Sequence, residues 1–217
     1  MVKQQTMEEI MNDFEPMEEG TKILIGLRKK SDNSMLAVPK ELYSSYDMRN
    51  YYMDGIIIRN EDEEVDLLFS PTEQNAVFGE GLPDIPATDK RRKKAPANPS
   101  FTELDGEWCT QWQVNNHPDC CTDGYAICEA IKYGWLPSNG EMYWALKNAA
   151  AFAEVAQICG ADTLSGDAYW CSTQYDRDYM WSYNVVGGKF EFWHSKYTTM
   201  AIRPVKSAED YEEIEEE

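Results

Sequence analysis

At 217 residues, with 42% hydrophobic and 12% aromatic content, the chain can bury one good core and is too apolar for a disordered polymer. A formal charge of −19 excludes a general nucleic-acid binder, which needs clustered Lys and Arg, and repels anionic surfaces. No apolar run reaches the roughly 18 residues of a membrane span, and the acidic opening "MVKQQTMEEIMNDFEPMEEG" lacks the basic-then-apolar order of a signal peptide. We therefore expect one main domain with arms, and neither nucleic acid nor membrane among its partners.

Met7, Ile10, Met11 and Phe14 recur at i, i+3, i+4 and i+7, one face of a short helix that Pro16 ends. So short a helix is marginal alone and needs a partner surface, either its own domain or a groove on a neighbouring subunit. Residues 1–38 read as an N-terminal arm with those four side chains as its docking face. Within and beyond it, "KILIGL" (22–27) reads as a strand, and "DGIIIRNEDEEVDLLFS" (54–70) as a hairpin with an acidic turn from Asn60 to Glu64.

From 82 to 100 the apolar period disappears. Four of the ten prolines (Pro83, Pro86, Pro96, Pro99) surround "DKRRKK", which makes this a long inserted loop. The basic run Lys90 to Lys94 could be read as a phosphate or nuclear-targeting patch. In so acidic a chain it is read instead as a solvated loop or a contact to the chain's own acids.

Six cysteines follow: Cys109, Cys120, Cys121, Cys128, Cys159 and Cys171. Without an export signal they are expected as reduced thiols. A zinc set of Cys109, His117, Cys120 and Cys121 lacks the paired CxxC spacing of a structural site, so no metal or other cofactor is expected.

Two helices are expected next. In "CTDGYAICEAIKYG", Thr122 or Asp123 would cap a helix whose apolar side is Tyr125, Ile127, Cys128 and Ile131. In "LPSNGEMYWALKNAAAFAEVAQICG", Ser138 and Glu141 have capping-box spacing, alanines carry the middle, and Gly160 supplies the stop.

The stretch from Tyr169 to Ser195 holds nine of the chain's 27 aromatic residues. Trp181, Tyr183 and Val185 alternate with Ser182, Asn184 and Val186, Gly187 and Gly188 read as a two-residue turn, and Phe190, Phe192 and His194 alternate on the return. A half-buried hairpin needs apolar side chains on one face only, so some of these rings are expected to be surplus to the core. A last strand, "TMAIRPV", follows, and "EDYEEIEEE", seven acids in nine residues, is expected as a mobile tail (207–217).

Several short pieces in order carry a resemblance. Trp135, Leu136, Pro137, Ser138, Glu141, then Tyr169, Trp170, Ser172, Thr173, then Trp181, Gly188, Lys196, Arg203 and Val205 match a pattern of W-x-LPS-x-x-E-[LM], YWSST, W, G and R-x-V-[RK]. That pattern resembles the Fibrobacter-type paralogous and related C-type-lectin-like domains of gut Bacteroidetes and their phages, including the retroelement-diversified variable proteins. Cys171 stands where a serine is usual, and the likeness covers roughly residues 50–206.

The resemblance implies an α+β fold with two helices packed on a twisted antiparallel sheet, in a domain running from 39 to 206. It places the ligand face between the YWSST-like motif and the last strand, here Thr173 to Tyr197. Composition points the same way, because Tyr and Trp with interleaved Ser, Asn, Asp and Arg are what antibody loops use. The candidate ligand-binding residues are Tyr175, Asp176, Arg177, Asp178, Tyr179, Tyr183, Asn184, Phe192, Trp193, His194 and Tyr197. Trp170 and Trp181 are assigned to the core.

No GxSxG, P-loop or HExxH occurs, there are only two histidines, and the calcium motifs of lectins proper are absent. Formylglycine-generating enzymes share the wider fold, but their cysteine motif is not visible. The expectation is therefore a non-enzymatic bacteriophage virion protein. It would be capsid- or tail-attached through the arm, assembled in the host cytoplasm, and recognise host-surface glycan or protein. The alternative is a structural adaptor bound to another virion subunit, and the resemblance also allows a homo-trimer.

Overall fold

The computed structural model describes residues 19–79, 104–174, 180–185, 189–191 and 195–214, those at 189–191 through their backbone. The docking face Met7, Ile10, Met11 and Phe14 and the basic loop 82–100 lie outside those residues. The described chain is α+β, with two antiparallel-rich sheets and short helices.

The first sheet contains β1 (Lys22–Lys29), β2 (Met35–Val38), β3 (Tyr51–Asn60), β4 (Val65–Phe69), β10 (Val205–Ser207) and β11 (Glu212–Glu213), in the order β10-β4-β3-β1-β2-β11. The second contains β5 (Gln74–Val77), β6 (Ala168–Gln174), β7 (Met180–Asn184), β8 (Lys189–Glu191) and β9 (Thr199–Ile202), in the order β5-β9-β6-β7-β8. The hairpin β3–β4 forms with its acidic turn as expected, Asn60 facing Val65. Its run of isoleucines is continuous because both faces are covered. Ile56, Ile58 and Phe69 join the main core with Ile25 and Leu27, while Ile57, Leu68 and Leu24 face Ala208 and Tyr211 on the other side.

Strand β1 lies between β3 and β2, with Ile25 and Leu27 fully buried. Residues 22–38 are thus part of the domain and not of an arm, a correction to the expected boundary at 38: removing a central strand would unpair the backbone edges of both its neighbours. The acidic tail is corrected for the same kind of reason. Tyr211 is buried and its hydroxyl donates to Asp54 Oδ2 at 2.8 Å. Arg59 grips Asp66 with two nitrogens, donates to the Ala208 and Tyr211 carbonyls, and reaches Glu213 at 3.4 Å. Lys22 meets Glu213 at 2.6 Å, and β11 adds in parallel to β2. Repulsion among the acids is offset by these cations and one aromatic anchor.

Among the described residues four helices cover the sheets: α1 (Gly106–Asn116), α2 (Ala126–Ile131), α3 (Asn139–Lys147) and α4 (Ala149–Cys159). The capping box forms at α3, Ser138 Oγ accepting from Glu141 N at 3.3 Å and Glu141 Oε2 accepting from Ser138 N at 2.7 Å. The single helix expected here breaks at Asn148, whose side-chain amide takes the Trp144 carbonyl at 2.8 Å, a local competition that lets the axis turn. Gly160 ends α4 in the left-handed conformation, φ 75°. At α2 the cap is Tyr125, not Thr122 or Asp123, and Ile131 is exposed rather than on the apolar side.

The last expected strand is two. After β9 the chain leaves the second sheet at Arg203–Pro204 and enters the first as β10, beside the similar step from β4 to β5, with Ser70 N donating to Pro204 O at 2.8 Å. Arg203 is fully buried, donates to the carbonyls of Asp162 (2.8 Å) and Thr163 (3.4 Å), and stacks on the Phe152 ring at 5.2 Å.

At Gly55 the β1–β3 register shifts, and a Cβ there would lie 2.1 Å from the Phe69 carbonyl oxygen and 2.8 Å from the Tyr133 hydroxyl. Gly55→Ala is expected to cost about 2–3 kcal/mol through forced overpacking. Gly124→Ala, at φ 87° with open space around it, is expected to cost only about 1 kcal/mol of backbone strain. Urea unfolding of the two variants checks the difference, and equal losses would contradict it.

Candidate binding face

The aromatic ribbon is built on β6, β7 and β8. Pairing runs Ala168 to Asn184, Tyr169 to Tyr183 and Trp170 to Ser182, then shifts and ends at Gln174 with Met180. On the outer side Ser182, Tyr183 and Asn184 pair with Glu191, Phe190 and Lys189. Four residues, 185–188, separate β7 from β8, and the two-residue turn expected at Gly187 and Gly188 lies outside the described residues.

Both faces of β6 and β7 are covered. Tyr169, Cys171, Trp181 and Tyr183 point into the core shared with the first sheet, α3 and α4. Trp170 and Met180 point into a second core with Phe78, Ile127, Ala130 and Leu136. Trp170 and Trp181 are buried as expected, at 0% and 3% exposure. Tyr183, expected to contact ligand, is a correction: it is 3% exposed, and burial pushes its phenol up to about 12. The premise of a ribbon with one covered face fails for β6 and β7, because α2 with Phe78 and Leu136 lies on one side and the first sheet with α3 and α4 on the other. Asn184 is half-buried at the ribbon's far end.

Tyr197 is the other described candidate, and it is 63% exposed. A turn closed by Thr198 N to Ser195 O at 2.8 Å holds it, while its neighbour Lys196 is buried and accepts from Gly79 N at 3.1 Å. Tyr175, Asp176, Arg177, Asp178, Tyr179, Phe192, Trp193 and His194 lie outside the described residues. The root of 175–179 is well defined. Gln174 pairs Met180, Ser172 N donates to Pro137 O at 2.8 Å, and Thr173 Oγ1 accepts from Asn139 N at 3.0 Å. The LPS turn, the start of α3 and the ribbon thus share one rigid base.

A different exposed ring escaped the sequence reading. Tyr52, half exposed, lies between Arg28 (4.9 Å) and Lys30 (4.8 Å). It adjoins an open cleft of about 410 Å³ lined by Lys29, Lys30, Ser31, Asn50 and Tyr51. The available signal was the spacing of basic residues at the end of β1 in an acidic chain.

Among the described residues, Asp123, Cys128 and Glu129 bring three metal-capable atoms within 4.8 Å of one another. Lys132 bridges the two carboxylates, at 3.5 and 2.7 Å. The zinc set weighed from sequence is not brought together: Cys109 is buried on α1 against Asp105, and Cys121 is exposed.

The geometry defines a class, an α+β protein whose second sheet carries a buried aromatic ribbon. No protein-family model and no curated protein matches the chain. A solved fimbrial protein from Bacteroides ovatus is similar at 16% identity and a TM-score of 0.47, over 65% of this chain. The match spans 35% of that protein's length.

Proposed function

We propose that the chain is a non-enzymatic bacteriophage virion protein with a C-type-lectin-like binding domain. It attaches to the capsid or tail through its N-terminal arm and recognises a host-surface glycan or protein. The observation that carries the reading is the sequence Tyr-Asp-Arg-Asp-Tyr at 175–179 between Gln174 and Met180, which pair with each other at the end of β6 and the start of β7. A short aromatic and charged segment on a rigid base is how binding residues are commonly presented, since order in the scaffold lowers the entropy lost on contact. Exposed Tyr197 extends the same chemistry along the segment that precedes β9.

Mass spectrometry of purified particles tests the location, and absence from every particle defeats it. For recognition, Tyr179→Ala and Trp193→Ala in the full chain are expected each to weaken host-cell binding by about 2 kcal/mol or more, roughly 30-fold, with unchanged unfolding curves. Binding confined to another particle protein would replace host recognition with an adaptor role.

A further inference from the structure

We propose that Cys121 and Cys128 form a redox modification site, a thiol pair that closes to a disulfide by exchange with a low-molecular-weight disulfide. The short turn Pro118–Cys121 carries two adjacent thiols within hydrogen-bonding reach of each other: Cys120 is buried in the second core, and Cys121 is exposed. Cys128, in the first turn of α2, donates its S–H to the Cys121 carbonyl at 3.2 Å and lies 3.8 Å from Asp123 Oδ1. Its sulfur therefore already touches the Cys121 backbone, and the remaining motion is rotation of the exposed Cys121 side chain. The intervening turn is held by Thr122 N to Asp119 O and Tyr125 N to Thr122 O.

The chemistry divides between the two thiols by access. Cys121 thiolate attacks one sulfur of an oxidised glutathione-type disulfide, forming a mixed disulfide and releasing one small thiolate. Cys128 then gives up its proton to solvent and attacks the Cys121 sulfur, forming the Cys121–Cys128 bond, breaking the mixed disulfide and expelling the second small thiolate. The protein loses two protons and two electrons, and the small disulfide gains them. Cys120 is a poor competitor. A bridge to its neighbour would strain the planar trans peptide between them, and burial pushes its thiol up to about 12.

Closure would fix the turn that supports the edge of the second sheet. Gly124 O accepts from Val77 N at 3.3 Å, Tyr125 bridges Val77, and β5 leads on to Gly79 and the Lys196 carbonyl beside Tyr197. The exchange chemistry stands without any assigned function. Only its timing rests on the virion reading, in which thiols made in a reducing cytoplasm meet an oxidising exterior on release.

The test equilibrates the reduced full chain with graded mixtures of reduced and oxidised glutathione, alkylates free thiols, and maps the peptides by mass. The expected result is a Cys121–Cys128 linked peptide, lost in Cys121→Ser and Cys128→Ser and kept in Cys120→Ser. The melting temperature should rise by about 5 °C on oxidation. Because Cys121 is exposed, Cys121→Ser leaves the core intact and decides the matter even if Cys128→Ser does not fold. A Cys120–Cys121 link, a persistent mixed disulfide at Cys121, or six alkylated thiols throughout would overturn the proposal.

Discussion

Raising the pH from about 4 to 8 is expected to weaken the fold by about 3 kcal/mol through Glu141 alone, and Glu141→Gln is expected to remove that slope. The Glu141 carboxyl is 2% exposed and accepts from Ser138 N (2.7 Å), Trp135 Nε1 (3.1 Å) and Gly106 N (3.3 Å). Burial pushes its pKa up from 4.5 to about 7, and these donors pull against that rise without cancelling it. The folded protein therefore holds the proton more tightly than the unfolded chain. That preference stabilises the fold fully below about pH 4.5 and is lost as pH passes the folded value near 7.

The glutamine variant stays neutral throughout but sets an N–H₂ group among N–H donors, so it should be less stable than the parent by about 1 kcal/mol at low pH. At pH 8 the order should reverse. Urea unfolding of both proteins across this range cancels the contribution of the other carboxylates, and parallel curves would refute the assignment. The site matters because one carboxylate joins the N-termini of α1 and α3 to the Trp135 indole.

Trp170→Ala is expected to cost about 3–5 kcal/mol, a large fraction of the about 5–15 kcal/mol that holds an ordinary domain folded. The ring is fully buried, meets Phe78 edge-on at 5.6 Å, and donates from Nε1 to Ala76 O at 3.2 Å. Alanine would leave a cavity between β6 and α2 and an unpaired carbonyl on β5. Trp170→Phe should restore most of the apolar contact and lose the hydrogen bond, at about 1–2 kcal/mol. Denaturant midpoints with unchanged slopes give both values, and a loss below about 1 kcal/mol for alanine would remove Trp170 from the core.

Local chemistry was legible in the residues alone. The β3–β4 hairpin with its acidic turn, the Ser138–Glu141 box, the Gly160 stop and the burial of Trp170 and Trp181 follow from signals a few residues long. Such features are decided by backbone sterics, capping donors and side-chain volume, which act over one turn or one strand pair. The α+β class, expected from the resemblance, is the class the two sheets and short helices show.

Tertiary structure decided what depends on distant partners. Whether Tyr183 meets solvent or the first sheet depends on what lies over the ribbon, and a period of two cannot say that both faces are covered. The acidic C-terminal segment packs because Arg59, Lys22 and Asp54 wait for it more than a hundred residues earlier in the chain. The buried Arg203 likewise answers to the carbonyls of Asp162 and Thr163, neighbours that the local sequence does not contain. Burial and charge pairing are set by long-range contacts, so their sign at a given residue is fixed only when the chain has closed on itself.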